Sequence, residues 1–225
     1  MPETNAPVTP PAAAKTPVAK PQVAQTVVLA TRNKGKIAEL EALLAGFGLH
    51  VLGLGAFPDL GEIEETGTTF AENARLKART VANATGLVAL ADDSGLAVDA
   101  LSGAPGVYSA RYSGQDATDA TNNAKLLATL ADVPEAQRGC RFLSVVAAHA
   151  PNGAEILAEG RWEGRVLDAP RGQGGFGYDP LFLDPELGRS AAELSPQEKN
   201  ARSHRGHALR ALLQDWPAFW AKASA

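Results

Sequence analysis

Val27-Val28-Leu29-Ala30 is a short β-branched apolar run that breaks into Thr31-Arg32-Asn33-Lys34-Gly35-Lys36. It then passes into Ile37-Ala38-Glu39-Leu40-Glu41-Ala42-Leu43-Leu44, apolar at helical spacing. A buried strand feeding an amphipathic helix through a polar turn is the opening of an α/β unit rather than of a helical bundle. The turn supplies Lys34, Gly35 and Lys36, and the helix adds free N–H groups and the positive end of its dipole. A polyphosphate is the expected guest.

Strand-like and helix-like segments alternate through the rest of the chain. Thr69-Phe70-Ala71-Glu72 has capping-box spacing and opens a helix to about Ala84, closed by Gly86. A strand, Leu87 to Ala91, follows and ends in Asp92-Asp93-Ser94-Gly95. Another helix spans about Asp119 to Leu130, and Asn152-Gly153 joins the apolar run Phe142–Ala150 to Ile156–Val166 as an antiparallel hairpin. Ser195-Pro196-Gln197-Glu198 is a clear helix start, with Gly206 a candidate bend before Trp216. The aromatic ending Trp216-Pro217-Ala218-Phe219-Trp220 is expected to pack on the domain.

Composition narrows the function classes. A net charge of −4 argues against broad capture of nucleic acid. The single cysteine, Cys140, excludes an intramolecular disulfide and a cysteine-rich zinc site and fits a reducing compartment, so the cytoplasm is the expected location. No apolar run approaches a bilayer span and no secretory signal opens the chain, so no membrane partner is expected. Residues 1–25, rich in Pro and Ala, are expected to be a disordered tail, and residues 26–225 a single two-lobed domain.

Several clusters carry chemistry. Glu62, Glu64 and Glu65 lie in one acidic stretch and Asp92-Asp93 at an expected strand end, where α/β folds form ligand crevices. Such oxygen donors suit Mg²⁺ shared with substrate phosphate. Asn73 and Lys77 are four residues apart and share a helix face, from which Lys77 can reach those carboxylates. Ser94 is a possible nucleophile, but no Gly-x-Ser-x-Gly elbow surrounds it, and donation to phosphate is the more economical role. Gly172-Gln173-Gly174-Gly175-Phe176-Gly177-Tyr178-Asp179 is no Walker A loop; its Phe176 can stack on a base, with Tyr178 and Asp179 lining the same pocket. Lys199, Ser203, His204 and Arg205 add a compact donor set, suited to the 6-keto oxygen of hypoxanthine or xanthine where adenine has an amino group.

These motifs, together with Glu64-Glu65-Thr66-Gly67, Phe70-Ala71-Glu72-Asn73-Ala74, Gly103 to Tyr112 and Ser203-His204-Arg205-Gly206, resemble those of the inosine triphosphate pyrophosphatases. The resemblance covers nearly everything after the tail. It implies an elongated mixed twisted sheet with flanking helices, two lobes around a central cleft, and a homodimer. It also implies Mg²⁺-dependent hydrolysis of noncanonical purine nucleoside triphosphates (ITP, dITP, XTP) to the monophosphate and pyrophosphate. Carried over by position, Thr31, Arg32, Asn33, Lys34, Gly35 and Lys36 bind triphosphate, Glu64 and Asp93 hold the metal, and Asp93 accepts the proton while Lys77 stabilises charge. Ser94 contacts substrate, Phe176, Gly177, Tyr178 and Asp179 embrace the base, and Lys199, His204 and Arg205 complete the pocket. Arg32 stands where many relatives carry Gly, and the neighbouring Glu65 is the alternative to Glu64 as metal ligand.

Overall fold

A computed structural model describes residues 25–225. The expectation of a tail therefore falls on residues outside the described ones, except Gln25, which opens the first strand and accepts the Trp216 indole N–H at 2.7 Å. The elements are β1 (Gln25–Leu29), α1 (Lys34–Leu44), β2 (Leu49–Gly53), α2 (Phe70–Thr85), β3 (Val88–Val98), α3 (Asp119–Thr129), β4 (Gly139–His149), β5 (Glu155–Val166), β6 (Phe182–Asp184), β7 (Arg189–Ser190), α4 (Pro196–Arg202), α5 (His204–Gln214) and α6 (Trp216–Ala223). They build one seven-stranded sheet in the order β2-β1-β3-β4-β5-β6-β7. β1 runs parallel to β2 and β3, and every later pairing is antiparallel, so the sheet is mixed.

Strand alternation sorts the core. Val27, Leu29, Val88, Leu90, Val146 and Ala148 face α1, α5 and α6, where Leu40, Leu209, Leu212 and Phe219 cover them. The intervening Val28, Ala89, Ala91, Val145 and Ala147 face α2, which meets them with Ala74, Ala78, Val81 and Ala82. The far halves of β3, β4 and β5 leave this sandwich and form a second core with Leu126 of α3, Leu130 just after it, Tyr178 and Phe182. Long strands thus run through two lobes, and the second lobe has its own apolar centre.

Three local readings change. The helix after β1 begins at Lys34, because Asn33 caps it by accepting the Lys36 N–H at 3.0 Å. Lys34, Gly35 and Lys36 are its first turn, not a turn before it. The strand expected to stop at Ala91 continues to Val98, since apolar alternation resumes at Leu96 and Val98. The last helical stretch breaks at Ser203, which ends α4 and caps α5 by accepting the Gly206 N–H at 3.1 Å. Gly206 is needed there for space, as a Cβ on it would lie 2.0 Å from the Asn200 carbonyl oxygen.

Candidate active site

β1 pairs with β3 only as far as Leu90, and β3 then continues alone on that side. Asp92, Asp93 and Ser94 stand in that gap, inside a strand and next to the end of its neighbour. The site lies beyond the carboxyl end of β1, the place where sheets of this kind open a crevice. Lys36, Glu65, Asp93, Ser94, Phe176 and Arg205 line a cleft there that is open to solvent.

Asp92 and Asp93 are consecutive and therefore project to opposite faces of β3. Asp92, fully buried, receives Lys36 Nζ at 2.9 Å, Arg205 Nη2 at 3.1 Å, Ser144 Oγ at 2.6 Å and Ser94 Oγ at 2.9 Å. Burial pushes its carboxyl up, but the charges of Arg205 and Lys36 overcome this and hold it well below the ordinary carboxylate value. Asp92 thus fixes a fan of donors. Ser94 is part of the fan, accepting from Arg205 at 2.8 Å, and no histidine bonds its hydroxyl among the described residues. The serine lacks the base that a nucleophilic role needs.

On the other face, α2 grips Asp93. Lys77 Nζ lies 2.8 Å from its Oδ1, and Asn73 donates to its Oδ2 at 3.3 Å. Lys77 also reaches Glu65 Oε1 at 2.7 Å and the Asp92 carbonyl at 2.9 Å. Burial raises the Asp93 carboxyl above its ordinary value, with Glu65 adding to the effect against the pull of Lys77 and Lys36. For Glu65 burial also acts upward, but Lys77 outweighs it and the carboxyl is held low.

The residue brought beside Asp93 is therefore Glu65, not Glu64. Glu64 is exposed and does not line the cleft, whereas Glu65 is half-buried and does. Two carboxylates converging on one ammonium match the donor set of a hard divalent cation, which usually takes one or two protein carboxylates and completes its shell with water and substrate phosphate. No group of three or more His, Cys, Asp or Glu gathers for a metal among the described residues.

Of the first motif, Asn33 and Lys36 line the cleft. Thr31, Arg32, Lys34 and Gly35 do not, although the α1 amides of the first turn have no intrahelical acceptor. Arg32 is exposed and donates to the Leu60 carbonyl at 2.5 Å. Gly35 serves by its lack of side chain: a Cβ there would come within 2.5 Å of the Phe176 ring.

Phe176, Gly177, Tyr178 and Asp179 line the same cleft with Lys199, His204 and Arg205. Lys199 Nζ lies 4.8 Å and Arg205 Cζ 5.7 Å from the Phe176 ring centroid. His204 stacks on Phe142 at 4.7 Å. Burial first, and then the charge of Arg205, keeps its ring neutral, and its Nδ1 has no partner among the described residues. Sequence reasoning missed Glu39, which bonds Lys199 Nζ at 2.7 Å and also pairs with Arg205. Its position one turn after Lys36 is the only local sign of that role.

Fold and site define a two-lobed α/β protein whose cleft joins an acidic and lysine-rich end to an aromatic, cationic wall. Residues 27–215 match the model of the Ham1 family, and the chain belongs to that family. It is 63% identical over 201 residues to a dITP/XTP pyrophosphatase of Nitratidesulfovibrio vulgaris, covering 87% of this chain and 97% of that protein. It is 52% identical over 200 residues to a longer dITP/XTP pyrophosphatase of Streptococcus pyogenes, covering 88% of this chain and 61% of that protein. A HAM1 protein from Coxiella burnetii superposes with a TM-score of 0.78 at 47% identity, covering 86% of this chain and 98% of that one. No described helix is long and apolar enough to cross a membrane.

Proposed function

We propose that this protein hydrolyses dITP, XTP and ITP to the nucleoside monophosphate and pyrophosphate, with Mg²⁺, and so removes deaminated purines from the nucleotide pool. The observation that carries the reading is that Lys77 bonds both Asp93 and Glu65, two carboxylates that line one cleft with Phe176. The activities of the relatives from Nitratidesulfovibrio vulgaris and Streptococcus pyogenes agree with it.

Asp93 and Glu65 are the residues that would hold Mg²⁺, which when bound neutralises phosphate charge and polarises the phosphoryl group. Lys36 sits where it can balance the charge of phosphoryl oxygens, held in place by Asp92. Asp93 is the base: it takes a proton from water as the water oxygen bonds to the α-phosphorus. The bond from that phosphorus to the bridging oxygen breaks, and pyrophosphate leaves. Lys77 fixes the Asp93 carboxylate for this step. The base lies on Phe176 beside the cations Lys199 and Arg205, whose positive charge favours the partly negative 6-keto oxygen over the amino group of adenine.

The test is pyrophosphate release from ITP, dITP, XTP, ATP and GTP with and without Mg²⁺. Turnover of the first three only with Mg²⁺, lost in Asp93→Asn, is expected. Equal turnover of ATP, or an active Asp93→Asn variant, overturns the assignment.

A further inference from the structure

Gly177, next to the ring residue Phe176, has a left-handed backbone with φ 60°. Glycine reaches that conformation without strain, but its freedom does not by itself hold the loop in one place. The hold comes from the second lobe. Asp119 Oδ2 accepts the Gly177 N–H at 2.7 Å, and Asn123 Nδ2 donates to the Gly177 carbonyl at 2.9 Å. The pair is spaced i, i+4 on α3 and so shares one face, from which a single helix grips both polar groups of a single glycine.

The grip is anchored behind. Asn122, buried between the two, accepts the Ser113 N–H at 2.7 Å and donates to the Ala110 carbonyl at 3.1 Å, tying α3 to the segment before it. On the loop's other flank Asp179 accepts the Phe176 N–H at 2.8 Å. The peptide groups around the ring are therefore fixed from both sides; Asp119 lines the same cleft as Lys36 and Asp93, but among the described residues no hydrogen bond or ion pair joins Asp119 or Asn123 to Lys36, Lys77 or Asp93.

We propose that Asp119 and Asn123 are positioning residues for substrate selection: their clamp on Gly177 sets the Phe176 ring, and through it the preference for a 6-keto purine over adenine. This rests on the reading of Phe176 as the base-stacking residue. A ring held at one height delivers the 6-keto oxygen to the cleft's donors. A loosened ring lets the base slide, so dITP loses those bonds while dATP has none to lose.

Steady-state kinetics with dITP and dATP test this in Asp119→Ala, in Asn123→Leu, which keeps shape but removes the amide, and in Asp119→Asn, which keeps an oxygen acceptor. A hydrogen bond of ordinary net strength predicts that Asp119→Ala and Asn123→Leu raise the dITP KM about tenfold, with kcat changed less than about threefold. The dITP:dATP ratio of kcat/KM should fall by a similar factor of about ten, and Asp119→Asn should restore it to within about threefold of the parent. Unchanged ratios in the Ala and Leu variants overturn the proposal. So does an equal loss of kcat on both nucleotides, or an Asn variant as impaired as the Ala one. If Asp119→Ala does not fold, Asn123→Leu and Asp119→Asn decide by the same ratios. Failure of the base reading itself is distinct, because the parent protein would then turn over dATP as well as dITP.

Discussion

Two neighbouring carboxylates, Asp92 and Asp93, are driven apart in proton affinity by the faces they occupy. Burial opposes the charge of both, but at Asp92 two cations win and the carboxyl is depressed, whereas at Asp93 burial wins and the carboxyl is raised. A depressed carboxyl contributes stability that is complete above the unfolded value near 3.8 and is lost as pH falls through the native value; a raised one contributes with the opposite sign, losing stability as pH rises from 3.8 through its native value. Asp92→Asn should therefore cost about 3–5 kcal/mol in urea denaturation at pH 7, because it strands buried cations, and the deficit should shrink in acid. A variant as stable as the parent at pH 7 would show that Arg205 and Lys36 need no such partner. Activity requires ionised Asp93, so kcat/KM should fall in acid as that carboxylate takes up a proton. Lys77→Met removes the leading attraction that favours the ionised form, which should move this acid limb to higher pH and lower kcat by about a hundredfold. A pH–rate profile with an unmoved limb would separate Lys77 from Asp93.

At the scale of elements, α2 is the clamp that presents Lys77 and Asn73, and its first turn is closed by reciprocal bonds. Thr69 Oγ1 accepts the Glu72 N–H at 3.1 Å, and Glu72 Oε2 accepts the Thr68 and Thr69 N–H groups at 2.7 and 3.1 Å. Thr69→Ala should lower stability by about 1 kcal/mol in thermal denaturation; an unchanged transition would mean that packing alone fixes the helix start. Such bounds are legible in the sequence because their causes are local: Thr69, Gly86 and Ser195 act within a turn of themselves, and the β4–β5 hairpin follows from Asn152-Gly153 between apolar runs. Other features have distant causes. Glu39 meets Lys199 and Arg205 across 160 and 166 residues, and Ser144 meets Asp92 across 52. No window of neighbouring residues contains those pairs. The burial of Asp92 was hidden for the same reason, since a strand carries an internal carboxylate only when remote cations arrive to neutralise it. β2 gave little signal because its Leu49–Gly53 run is short, includes His50 and is only partly buried.

Across the whole molecule, the site depends on how closely α5 approaches the sheet. Ser94, Ser144 and Gly160 stand in one row across β3, β4 and β5, small residues on the face that α5 covers. A Cβ on Gly160 would lie 2.1 Å from the His204 carbonyl oxygen and 2.4 Å from the Ala208 nitrogen, so helix backbone rests directly on strand backbone. That contact lets Arg205 reach Asp92 and Ser94 while His204 lies on Phe142. Gly160→Ala cannot be relieved by a side-chain rotation, because the atoms it meets are backbone; α5 must lift. Overpacking of this kind costs about 1–3 kcal/mol. Lifting α5 also withdraws Arg205 from the cleft, so the same substitution should raise the dITP KM, although Gly160 itself does not line the cleft. Thermal denaturation and steady-state kinetics on one preparation check both effects. A destabilised variant with an unaltered KM would show that Arg205 holds its place through Glu39 and Asp92 alone, independent of where the helix rests on the sheet.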